Sequence, residues 1–151
     1  MIKSILLAED NLEHCFFFRK ALREVAPEIQ FDEVHDGDKL MELLESYLPD
    51  LLFLDLAMPC KSGVQCIREI RENKIYDSLP IVVLTVSSQY NSIQATYGFG
   101  ANLYTIKPES YELLVSSLRS ILLMDWSDPK TITAEHFKDN KYLPYAYDSQ
   151  V

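Results

Sequence analysis

No stretch of this 151-residue chain approaches the ~20 consecutive apolar residues of a membrane-spanning helix. The apolar run after Met1-Ile2-Lys3-Ser4 is also too short for a secretory leader. Basic residues are scarce: 14 Lys and Arg stand against 23 Asp and Glu, a formal charge of -9. That deficit argues against direct binding to DNA, RNA or anionic membrane, which need a basic face. Phosphate chemistry stays open if a cation is recruited. Cysteine is sparse as well. Cys15, Cys60 and Cys66 are odd in number and lack the paired spacing of zinc sites, so they read as reduced thiols of a cytoplasmic protein rather than metal ligands. There is no internal repeat and no low-complexity linker. A hydrophobic fraction of 48% and a charged fraction of 25% exclude wholesale disorder, and the length suits one core.

Short apolar runs alternate with longer segments of helical period. The runs are Ile5-Leu6-Leu7-Ala8, Ile29 to Val34, Leu51 to Leu54, Ile81 to Leu84 and Leu103 to Ile106. Four of them are nearly continuously apolar, as parallel strands covered on both faces should be. Ile29 to Val34 alternates, which suits an edge strand. The first helix, about residues 11–25, puts Cys15, Phe18, Leu22 and Val25 on one stripe. The third opens at Ser62-Gly63-Val64-Gln65 with capping-box spacing. A weak helix over 88–98, rich in Ser, Thr and Asn, is expected to end at Gly98. A fifth, about 110–123, repeats Tyr111, Leu114, Leu118 and Leu122. Five βα units in succession predict an α/β fold, a doubly wound parallel sheet with helices on both faces. Residues 125–151 break the rhythm: Trp126, Phe137, Tyr142, Tyr145 and Tyr147 lie among charges, and no fold is predicted for them.

Ligands of open α/β sheets bind beyond the carboxyl ends of the strands. Those ends carry Glu9-Asp10, Asp55, Thr85 and Lys107-Pro108 in turn. Three carboxylates brought together repel one another unless a cation sits among them. Hard oxygen ligands suit Mg²⁺. Asp55 could then attack phosphorus as a carboxylate nucleophile, with Lys107 as a second positive charge. The Thr85 hydroxyl and the Val86 backbone N–H are placed to donate to phosphoryl oxygens. Each residue has a plainer reading by itself: a helix-dipole acid pair, a turn aspartate, a β-forming threonine. Their common register favours the site.

With these residues in order, the chain resembles the receiver domain of two-component response regulators. The family carries an acidic pair, a phosphoacceptor Asp, a Met-Pro, a Gly opening helix three, a Thr or Ser, and a Lys-Pro. These fall here on Glu9-Asp10, Asp55, Met58-Pro59, Gly63, Thr85 and Lys107-Pro108, and the likeness covers about residues 1–124. It implies a flavodoxin-like five-stranded sheet of order 2-1-3-4-5. It implies Mg²⁺ bound by Asp10, Asp55 and the Ala57 backbone carbonyl, with Glu9 acting through water. It also implies a cis Lys107-Pro108 peptide bond, and a Thr85–Tyr104 switch in which Tyr104 turns inward as Thr85 moves toward the phosphoryl group. The first helix is where family members dock a histidine kinase or histidine phosphotransfer protein, so exposed Phe16 is a candidate docking residue.

Ala57, Val86 and Ser87 occupy positions that tune the family's kinetics. Val86, bulkier than the usual Ala or Gly, predicts slow loading by small donors. Ala57 and Ser87 predict a long-lived acyl phosphate. The resulting expectation is a stand-alone cytoplasmic switch, not an enzyme beyond its own phosphotransfer and autodephosphorylation. It would be a monomer or phosphorylation-dependent dimer, signalling through protein contacts or a phosphorelay, with residues 125–151 as a tail rather than an effector domain. The alternative is a degenerate receiver acting as a phosphorylation-independent interaction module. A flavodoxin-type FMN carrier would need a phosphate cradle after the first strand, where Glu9-Asp10-Asn11-Leu12-Glu13 is acidic. A phosphatase of the haloacid-dehalogenase type would need a second Asp two residues past its nucleophile, where Ala57 stands.

Overall fold

The computed structural model describes residues 1–147. Five parallel strands, β1 (Ser4–Ala8), β2 (Gln30–Val34), β3 (Leu51–Leu54), β4 (Ile81–Thr85) and β5 (Leu103–Ile106), form one sheet in the order β2-β1-β3-β4-β5. The order is the predicted one, and the alternating segment is indeed an edge. Five helices connect and follow the strands: α1 (Leu12–Val25), α2 (Gly37–Leu44), α3 (Gly63–Glu72), α4 (Tyr90–Phe99) and α5 (Tyr111–Leu122).

Strand side chains alternate between two cores. Ile5, Leu7, Phe53 and Leu84 face α1 and α5, where Phe18 of α1 meets Phe53 edge-on at 4.9 Å. Leu6, Leu52, Leu54 and Val83 face α2, α3 and α4. Helix starts follow local chemistry. Asn11, Asp36, Ser62 and Ser110 each accept a first-turn backbone N–H, and Ser62 with Gln65 closes the full capping box. Gln89 provides no such bond to α4, in keeping with its weak sequence signal. That helix runs past Gly98 and ends at Gly100, whose φ of 117° is the left-handed turn a glycine supplies. At Gly63 the constraint is proximity: a Cβ there would stand 2.4 Å from the Asp55 carbonyl oxygen.

Between α5 and residue 147 the chain is folded where the sequence predicts no fold. Trp126 is buried and its Nε1–H donates to the Ile121 carbonyl at 2.8 Å. A short helix, α6 (Pro129–Glu135), buries Ile132 in the α1–α5 core. A hairpin of β6 (Phe137–Lys138) and β7 (Lys141–Tyr142) turns through Asp139 and Asn140, φ 54° and 62°, the paired positive values of a type I′ turn. Tyr142 packs on the α2–α4 core and Tyr145 on the α1–α5 core, so the segment crosses the β5 edge from one face toward the other.

One side chain fastens the far end of the sheet. The Arg71 guanidinium donates to the carbonyls of Gly100 (2.9 Å), Tyr76 (2.8 Å) and Leu79 (2.8 Å) and to Asn102 Oδ1 (2.9 Å). The same Asn102 oxygen accepts the Ile81 N–H at 2.9 Å. Arg71→Met keeps the aliphatic stem and orphans these acceptors, so it should lower unfolding stability by about 3 kcal/mol, read by chemical denaturation.

Candidate functional site

The carboxyl ends of β1, β3, β4 and β5 meet at one rim. Glu9 is 2% exposed, its N–H bonded to the Val34 carbonyl at 3.0 Å. Asp55, 6% exposed, is tied by its N–H to the Ala8 carbonyl at 3.0 Å, and its Oδ1 accepts the Ala57 N–H at 3.2 Å. Asp10 stands exposed beside them. One oxygen from each of the three carboxylates falls in a group spanning no more than 4.8 Å. Lys107 comes from the opposite side: its Nζ donates to Asp55 Oδ2 at 3.0 Å and to Glu9 Oε1 at 2.5 Å. Its N–H is anchored on the Thr85 carbonyl at 2.7 Å.

Burial above all, and then Asp55, pushes the Glu9 carboxyl up to about 7 despite Lys107. Three carboxylates face one ammonium, which leaves the cluster short of positive charge. An all-oxygen donor set of Glu9, Asp10 and Asp55 with excess negative charge fits a hard divalent cation such as Mg²⁺, which Asp10 and Asp55 would hold, with the Ala57 carbonyl and a Glu9-bound water as the further expected donors. A second grouping, Cys15, Glu33 and His35, has ligand atoms equally close, but Arg19 already bonds Glu33. Burial, then Glu33, pushes the Cys15 thiol up to about 12, so it is held protonated. Cys15 and Cys66 are buried and Cys60 exposed, all free.

Sequence reasoning missed His14. From the first turn of α1 its Nδ1 lies 2.8 Å from Lys107 Nζ and 3.2 Å from Glu9 Oε1. An ammonium can only donate, so Nδ1 is the unprotonated acceptor and the proton sits on Nε2. Burial, then the Lys107 charge, lowers the imidazole pKa, in agreement. Acceptors Glu9, His14 and Asp55 thus surround the lysine. Its sequence trace was only that it lies four residues past Asp10.

Thr85 is buried beside the rim. Val86 is 72% exposed, so its bulk lies largely in solvent rather than packed into the site. Tyr104 is fully buried and turned inward; its hydroxyl donates to the Ser87 carbonyl at 2.9 Å and pairs with Ser92 Oγ at 3.0 Å. The expected cis Lys107-Pro108 bond is not found: the peptide is trans. Trans is the lower-energy form by about 0.5–1 kcal/mol, and Lys107 reaches both carboxylates from it. Phe16 is exposed at 51%. Beside it a cleft of about 240 Å³ between α1 and α5 is lined by His14, Phe17, Lys107, Pro108, Tyr111 and Leu114.

The model of the response regulator receiver domain family matches residues 5–119. The chain belongs to that family. Among curated relatives, the transcriptional regulatory protein PdtaR of Mycobacterium tuberculosis is 35% identical over 130 residues, 82% of this chain and 62% of PdtaR. The chain thus spans less than two thirds of that relative's length. Among solved structures, the phosphorylated cyanobacterial phytochrome response regulator RcpA superposes with a TM-score of 0.75 at 28% identity, covering 80% of this chain and 91% of RcpA. The Mn²⁺-bound form of response regulator Rcp1 gives 0.74 at 27% identity, covering 83% and 96%. Among the described residues of this receiver, no helix is long and apolar enough to cross a membrane.

Mg²⁺ titration followed by NMR should show Asp10→Asn weakening binding about tenfold or more, ~1.4 kcal/mol. Lys107→Met, which removes a competing cation, should tighten it.

Proposed function

We propose that this receiver is a phosphoacceptor switch that takes a phosphoryl group onto Asp55 from a histidine kinase or histidine phosphotransfer protein. The observation that carries the reading is the buried Asp55 carboxylate, held at Oδ2 by Lys107 Nζ (3.0 Å) and at Oδ1 by the Ala57 N–H (3.2 Å), with Glu9 and Asp10 alongside. Such fixed donors orient the nucleophile without further reorganisation. In transfer from phosphohistidine, a new Asp55 O–P bond forms as the P–N bond breaks, and the imidazole leaves with the bonding pair. Lys107 stabilises the equatorial charge, helped by the Thr85 hydroxyl and Val86 N–H. Bound Mg²⁺ would supply the remaining countercharge.

His14 in this scheme keeps Lys107 aimed, because a neutral acceptor occupies the remaining side of the ammonium without adding net charge. The reading is favoured over a phosphorylation-independent interaction module by the Asp55–Lys107 contact, which such a module would not need. Output would pass through protein contacts or onward phosphotransfer, as a monomer or a phosphorylation-dependent dimer, in the cytoplasm and without nucleic acid or membrane contact. Ala57 has no side chain to orient a hydrolytic water, and Ser87 Oγ is engaged by the Gln89 N–H at 3.4 Å, consistent with a long-lived acyl phosphate.

Intact mass after incubation with acetyl phosphate and Mg²⁺ should rise by one phosphoryl group and fall back only over minutes or longer. Asp55→Ala should abolish the gain; no gain in the native protein would sink the proposal. Exposed Phe16, 5.3 Å from the Phe17 ring at the α1 surface, is the proposed docking contact for the donor protein. Phe16→Ala should slow transfer from a cognate kinase about tenfold, ~1.4 kcal/mol, and leave acetyl phosphate loading unchanged; equal loss from both donors would count against docking.

A further inference from the structure

The segment from Phe137 to Tyr147 lies along the open edge of β5 and across α4, and its anchors converge on Tyr104. Both backbone groups of Tyr104 are bonded on that side of the strand. Its N–H donates to the Tyr97 hydroxyl at 2.9 Å, and its carbonyl accepts the Tyr145 N–H at 2.8 Å. The Tyr97 hydroxyl donates in turn to the Leu143 carbonyl at 2.9 Å. Tyr142 stacks on the Tyr97 ring at 4.8 Å with planes 13° apart. Gln94 of α4 grips the Tyr142 backbone twice, Nε2–H to its carbonyl at 2.7 Å and Oε1 from its N–H at 2.8 Å.

The other end of Tyr104 serves the site. Its hydroxyl donates to the Ser87 carbonyl, two residues past Thr85 and one past Val86. A single residue therefore carries the strap on its backbone and the phosphate-facing loop on its side chain. Loosening the strap frees the Tyr104 carbonyl and unstacks Tyr97, whose hydroxyl holds the Tyr104 N–H, and with them it relaxes the restraint on the loop. A loop ordered in advance loses less conformational entropy when phosphoryl oxygens take up the Thr85 hydroxyl and Val86 N–H.

We propose that residues 137–147 form a positioning strap for the phosphoryl site: docked on α4 and β5, the strap holds Tyr104 inward and Ser87 in place, so strap docking and phosphoryl loading strengthen each other. The proposal rests on the phosphoacceptor reading of Asp55. Linkage makes the effect reciprocal: if the strap favours loading, loading tightens the strap by the same factor. The β5 edge then becomes less accessible in the loaded state, not more.

The test uses the full chain, Mg²⁺ and beryllofluoride as acyl phosphate mimic, with amide hydrogen exchange at Tyr145 and beryllofluoride affinity as readouts. In the native protein, beryllofluoride should slow Tyr145 exchange about fivefold or more. Gln94→Ala should speed that exchange and weaken beryllofluoride binding by a similar factor. Tyr145→Pro, which removes the donor to Tyr104, should weaken binding likewise while the β1–β4 amides keep native protection. Tyr104→Phe should leave the strap docked but uncouple it, so that beryllofluoride no longer changes Tyr145 exchange. Unchanged or faster Tyr145 exchange in loaded native protein would overturn the proposal, as would native affinity in both strap variants. Failure of the native protein to take up beryllofluoride at all would overturn the phosphoacceptor reading with it.

Discussion

Lys107 reaches from the end of β5 to two buried carboxylates, and the arrangement of the rim follows from the need to neutralise them. Glu9 and Asp55 are drawn out of water by their own backbone bonds to Val34 and Ala8, so their charges cannot be left to solvent. One ammonium with three acceptors around it answers part of that demand, while burial, and then Asp55, still pushes the Glu9 carboxyl upward. The site is an electrostatic debt built into the sheet, and a divalent cation is a species of the right charge to offset it. His14 fits this logic, since it satisfies the lysine without deepening the negative charge.

The second organising fact is that β5 is both the strand that carries Lys107 and the open edge of the sheet. Whatever rests on that edge touches the same four residues that end at the site. Tyr104 meets the loop after β4 with its side chain and the strap with its backbone carbonyl, so the two are neighbours in bonding although they lie on different elements.

Much of this was legible in the sequence, for reasons that also explain the gaps. Buried parallel strands announce themselves as short continuous apolar runs, and Ile29 to Val34 betrayed the edge by alternating. Asp10, Asp55, Thr85 and Lys107 stood out because each directly follows or ends such a run. His14 did not, since its approach to Lys107 depends on how α1 is rotated against the sheet. Arg71 did not either: its four acceptors come from two separate connections, one before β4 and one before β5, and no local pattern records a long side chain's reach. Glycines flank Phe99 on both sides, and only the ladder of the helix decides that Gly100 rather than Gly98 adopts positive φ and ends α4. In the tail, a seven-residue helix and two-residue strands are too short for periodicity to register, although Asp139-Asn140 was a usable turn signal. The trans Lys107-Pro108 bond departs from an expectation that family likeness alone had supplied.

Trp126 has one further consequence. It is the chain's single tryptophan, buried where α5 hands over to the tail and sharing a hollow with Ile2, Pro49 and Leu79, at the amino ends of the strands. The carboxylate rim lies at the other ends. Its ultraviolet emission is therefore a native optical gauge of the tail's root, spectrally separate from the nine tyrosines and remote from the acidic cluster. Light absorbed there reports whether the tail is still rooted in the domain, whatever ion or phosphate the opposite rim holds.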